Sequence, residues 1–151
     1  MKKIIGLFTL FLLLSCALES EFALPNDENI IPELIGEWYN VKNNLGTIKI
    51  QQDGEKNYKL FIEEDDEIKE VNSFSKRIKG YNIMNVKTEY SGKTFYMFFG
   101  ITLHGDVLTF SEVNDQLHSK EFKSETELLK FFENNIEREN FFVNSVEMKR
   151  K

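Results

Sequence analysis

With a single cysteine, Cys16, the chain can form no intrachain disulfide, which excludes a small secreted domain held together by disulfides. Histidine is nearly as scarce. His104 and His118 are the only two, neither has a second histidine or a thiolate at ligand spacing, and no zinc site follows from them. His104 stands two residues before Asp106 across Gly105, an arrangement that suits a turn better than a metal ligand or a general base. No nucleophile, base and orienting residue can be grouped, so the chain is not read as an enzyme and no cofactor is expected. No apolar run reaches the roughly 20 residues that a membrane-spanning helix needs. The longest, 4–14, has 11. Prolines number only two, Pro25 and Pro32, and basic residues are outnumbered, 19 Lys and Arg against 25 Asp and Glu.

Apolar and aromatic residues are plentiful. Of 151 residues 41% are hydrophobic, enough for the core of one domain, and 14 are Phe. The Phe residues recur in short alternating runs, a pattern that suits pleated, half-buried strands.

Lys2 and Lys3 form a short positive start, 4–14 an apolar segment, and Ser15 a small residue before Cys16. Leu13-Leu14-Ser15-Cys16 resembles the lipobox of bacterial lipoproteins, in which an aliphatic residue, a small or aliphatic one and Gly, Ala or Ser precede Cys. The resemblance implies a signal peptide over 1–15, diacylglycerol on the Cys16 thiol, and a fatty acyl chain such as palmitate on the freed amine. Two or more chains anchor a protein stably where one does so only marginally. The alternative is a plain secretory signal followed by an unrelated cysteine. Lipidation implies a bacterial cell-envelope protein bound to membrane through its N-terminal lipid. Ala17, rather than Asp, after the cysteine resembles the outer-membrane sorting pattern of some Gram-negative bacteria. Without 1–15 the chain has 17 basic and 25 acidic residues, a net of about −8. That charge repels phosphate backbones and anionic headgroups, so no nucleic-acid partner is expected.

Residues 16–33 read as a flexible tether, since 17–32 hold both prolines and four acidic residues without sustained alternation. From residue 34 to 151 the pattern is that of one domain. Strands are expected at 36–42, 46–52, 57–63, 68–74, 93–103 and 107–113, with one bent or two short strands within 77–89. Asp53-Gly54 is a strong hairpin turn between alternating runs. The acidic run 63–67 reads as a solvated turn rather than a calcium loop, because it lacks the spaced Asp ladder of such loops. A capping box, Ser124 with Glu127, opens a helix over 125–136 whose apolar stripe is Leu128, Leu129, Phe132 and Ile136. A last strand is expected at 140–148. This order predicts a mainly β fold, an antiparallel barrel of about eight strands with one C-terminal helix, the rival being an open twisted sheet packed on the helix.

Leu34-Ile35-Gly36-Glu37-Trp38-Tyr39 resembles the Gly-x-Trp signature on the first strand of lipocalin-like (calycin) proteins. The resemblance implies that Trp38 closes the barrel floor beneath an Arg or Lys from near the C-terminus, with Arg138 and Arg150 as candidates. It also implies a carrier of small hydrophobic ligands. On the strand 93–103, Phe95, Met97, Phe99, Ile101 and Leu103 share one face, joined by Leu108 and Phe110 of the next strand. The expected ligand-binding residues are therefore Trp38, Phe95, Met97, Phe99 and Phe110. Met97 is the one best suited to adapt its shape. The other reading is an interior filled by its own side chains. The protein would then serve as an interaction or inhibitor module, meeting an envelope protein through outward Tyr96 and Phe98.

Overall fold

The computed structural model describes residues 17–42 and 46–151. Cys16 and residues 1–15, where a signal peptide is expected, lie outside the described residues. The strands are β1 (Glu19–Ser20), β2 (Gly36–Asn40), β3 (Gly46–Asp53), β4 (Asn57–Glu64), β5 (Glu67–Ile78), β6 (Tyr81–Tyr90), β7 (Lys93–His104), β8 (Val107–Val113) and β9 (Phe142–Arg150). A helix, α1 (Glu125–Asn135), lies between β8 and β9. Each of β2 to β8 pairs antiparallel with the next, and β9 pairs with both β8 and β2. Eight strands thus close into a barrel, which leaves no long unpaired edge. The open-sheet alternative is not what forms.

The turns follow local chemistry. Asp65 and Asp66, both at positive φ, make the two-residue connection between β4 and β5, as expected of the acidic run. Lys79 and Gly80 turn with φ of 48° and 86°. They divide the 77–89 region, so that β5 runs on through Ile78 and β6 starts at Tyr81. The helix begins where the capping box places it, with Glu127 N–H donating to Ser124 Oγ at 3.1 Å. Its buried stripe is Leu128, Phe131, Phe132 and Ile136, with Leu129 only half-buried.

Two apolar cores result. One fills the barrel and includes Trp38, Ile50, Tyr58, Leu60, Phe99 and Leu108. The other lies outside the barrel wall, where α1 and the chain before β2 cover β6 and β7. Burial is continuous over Ile83, Met84, Asn85 and Val86 because both faces of β6 are covered.

This outer core corrects two expectations. Phe98 points outward on β7 but is fully buried, with its ring 5.3 Å from that of Phe132 in an edge-to-face contact. Tyr96 is half-buried and packs edge-on to Phe74 at 6.5 Å. The exposed aromatic pair that motivated an interaction module does not exist, because the helix needs that face for its own apolar stripe. Nor do residues 17–33 form a free tether. Leu18 and Leu24 are 4% and 1% exposed, β1 pairs with β7, and Leu24 N–H donates to the buried Asn85 Oδ1 at 3.0 Å. Lys76 reaches Asp27 at 2.7 Å and Glu28 at 3.3 Å. Among the described residues the domain therefore takes in 17–33 as well as 34–151, and residues of this first segment belong to both cores.

Candidate ligand-binding site

One end of the barrel is closed. A 3-10 turn, Pro32–Leu34, lies beneath it with Leu34 2% exposed, and the Trp38 indole N–H donates to Leu34 O at 2.9 Å. Arg150 lies over the Trp38 ring and donates to Ile35 O at 3.0 Å and Glu33 O at 2.7 Å. Of the two candidate arginines it is Arg150 that serves. Arg138 instead donates to Asn135 Oδ1 at 3.2 Å.

The other half is open. Above the floor the barrel holds a cavity of about 440 Å³, within the range of small-molecule pockets. Its walls are Leu60, Val71, Val86, Met97, Phe99 and Met148, side chains pointing inward by strand alternation. Its rim is formed at the β4–β5 connection by Glu64, Glu67 and Ile68, the last 67% exposed, and by Lys69 just beyond. Trp38 and its neighbours thus fill the floor half, as the filled-interior reading expected of the whole interior, while the rim half holds the cavity.

The expected residues divide accordingly. Met97, Phe99 and Phe110 line the cavity together. Trp38 does not. It is wholly buried in the floor below. Phe95 lies at the rim end of β7 and stacks on Tyr90, with ring centroids 4.6 Å apart and planes 13° from parallel.

Sequence reasoning missed the polar group of the site. On β8, Leu108, Phe110 and Glu112 alternate inward, and Glu112 lines the cavity with only 3% of its surface exposed. Its Oε2 accepts from Asn144 Nδ2 at 2.9 Å, while Oε1 has no hydrogen-bond partner. Asn144 reaches it through a bulge: two steps on β8, from Phe110 to Glu112, face three on β9, from Val146 to Val143. Asn144 itself takes a φ of 51°, a conformation that Asn tolerates better than most residues. Burial pushes the Glu112 carboxyl above its ordinary pKa and Asp115 adds to this, while the Asn144 hydrogen bond acts in the opposite direction. The period-2 alternation of Val107-Leu108-Thr109-Phe110-Ser111-Glu112 carried the signal that Glu112 faces inward.

Among the described residues no group of three or more His, Cys, Asp and Glu side chains is placed to hold a metal ion, and no helix there is long and apolar enough to cross a membrane. No family model and no curated protein matches the chain. Among solved structures, the crystal structure of a DUF4909 family protein from Staphylococcus aureus is similar at 12% identity, over 78% of this chain and 96% of that chain, with a TM-score of 0.47.

Proposed function

We propose that the barrel binds a small hydrophobic molecule in its rim-side cavity, and that it does so as a lipid-anchored lipoprotein of the bacterial cell envelope, in the outer membrane if the cell is Gram-negative. The observation that carries the binding reading is the cavity itself. It is about 440 Å³ of space walled by aliphatic, Met and Phe side chains and closed below by Trp38. Water gains few hydrogen bonds against such walls, whereas an apolar ligand removes both its own surface and theirs from water. The lipocalin-like resemblance of Gly36-Glu37-Trp38 points the same way.

The anchor rests on the lipobox resemblance at Cys16. Ala17 bridges to Asn114 and Leu18 N–H donates to Val113 O at 3.2 Å. Successive Cα atoms are only about 3.8 Å apart. A lipid on Cys16 would therefore hold the barrel wall directly against the bilayer, with no slack chain between them.

The test of binding uses the chain 16–151 with Cys16→Ser, which holds the whole barrel and both cores. Native mass spectrometry should find an apolar molecule co-purifying, or the emptied protein should take up the fluorescent probe N-phenyl-1-naphthylamine. Val86→Phe, which fills the cavity, should abolish uptake. An empty protein that admits no probe would overturn the reading. In the full chain, Cys16→Ser should end labelling by radioactive fatty acid and release the protein from membranes. Undiminished labelling of that variant would refute the anchor.

A further inference from the structure

An apolar cavity needs no carboxyl group, and burying one with an oxygen unpaired is costly. Glu112 is such a group, 97% buried in the cavity wall, with Oε2 bonded to Asn144 and Oε1 unpartnered. The local backbone is shaped around this pair. The β9 bulge and the left-handed Asn144 bring an amide to one carboxyl oxygen and fix the side chain while leaving the other oxygen unused. A left-handed residue at a bulge beside an unsatisfied buried group is the kind of local irregularity found at binding sites.

The charges around the cavity narrow the ligand further. Glu64, Glu67 and Glu112 line it against one base, Lys69, whose ammonium is itself pushed below its ordinary pKa by burial. An anionic headgroup entering here meets an excess of carboxylates, whereas a cation meets attraction at the rim and an acceptor inside. We propose that Glu112 is the polar anchor of the cavity, and that the ligand is an apolar molecule bearing a protonated amine whose N–H donates to the Glu112 carboxyl. The proposal rests on the ligand-binding reading above and deepens it. Glu112 accounts for head-group selection and the walls for affinity towards the apolar body. Fatty acids, the obvious apolar occupants of a barrel, are the class it disfavours.

The test compares decylamine, decanol and decanoate, three ligands with one chain and different heads, by displacement of N-phenyl-1-naphthylamine from the chain 16–151 with Cys16→Ser. Decylamine should bind about tenfold more tightly than decanol, and decanoate more weakly than either, since a hydrogen bond to a charged group discriminates on this scale. Glu112→Gln keeps the shape of the side chain and its Asn144 contact. It should cost decylamine about tenfold while changing decanol by less than about threefold. Retained probe binding shows that the variant still folds. Equal affinities for all three heads, or an unchanged amine preference in Glu112→Gln, would overturn the head-group assignment and leave the cavity reading intact. Failure of the probe and all three ligands to bind would overturn both.

Discussion

The Arg150 guanidinium carbon stands 4.3 Å from the centroid of the Trp38 ring, and the two residues are direct cross-strand partners of β9 and β2. The pair closes both the barrel seam and its floor, because the guanidinium also caps the carbonyls of Glu33 and Ile35. Gly36 makes room for it. A Cβ there would come within 2.6 Å of Arg150 Nη1, and its φ of 144° is one that other residues rarely adopt. Gly36→Ala should therefore destabilise the domain by about 2 kcal/mol and Arg150→Met by about as much. In a double-mutant cycle by urea denaturation the two should be less than additive, since removing the guanidinium removes the clash. Full additivity would show that Gly36 is needed only for its backbone angle.

Tyr58 joins the chain before β2 to the barrel. Its hydroxyl accepts from Ile31 N–H at 2.6 Å and lies 3.2 Å from Ser75 Oγ. Tyr58→Phe should cost about 1–2 kcal/mol and speed amide exchange in residues 17–33 more than in β6 or β7. Deleting residues 17–33 should be far worse, because it uncovers the apolar outer wall under Leu18 and Leu24. A shortened domain that melts with the parent would restore the tether reading.

Glu112 makes stability depend on pH in a direction opposite to most carboxyls. Its folded pKa is raised, chiefly by burial with Asp115 adding and the Asn144 hydrogen bond opposing; Glu64, Glu67 and Lys69 are the other charged groups lining its cavity. Between the unfolded and the folded pKa the folded state therefore holds a proton that the unfolded chain has released. This stabilisation is present below the unfolded pKa and is lost as pH rises towards the folded one. Glu112→Gln stays uncharged at every pH, so it should be more stable than the parent near neutrality and match it once the pH falls below the ordinary carboxylate range. Thermal melts at the two pH values measure this, and a variant less stable at neutrality would contradict it.

Gly100 sits where Phe142 crosses the barrel wall, and a Cβ there would meet the Phe142 ring at 2.5 Å. Gly100→Ala should cost about 1–3 kcal/mol, the scale of overpacking. Phe142→Leu in the same chain should recover part of the loss, whereas no recovery would place the strain elsewhere.

The barrel was legible because its signals are local. Alternation along β7, the Asp53-Gly54 turn and the Ser124 cap each depend on residues a few positions apart, so each can be read without knowing what lies across the molecule. The inward set Met97, Phe99 and Phe110 followed from the same period. Glu112 lay in that period too, but a charged residue at an inward position reads as solvent-facing until the wall around it is seen. Leu18 and Leu24 are hidden by flanking acidic residues and Pro25, and only the uncovered outer wall of β6 and β7 gives them a place to pack.

Strand pattern, turns, the helix cap and the lipobox resemblance were thus set by the order of residues alone. The tertiary structure decided which outward side chains are covered, where the cavity begins above Trp38, and that the carboxyl of Glu112 is buried in its wall. Those outcomes depend on elements far apart in the chain. Alternation states only that a side chain points to one face or the other, whereas burial depends on which helix or strand comes to lie against that face.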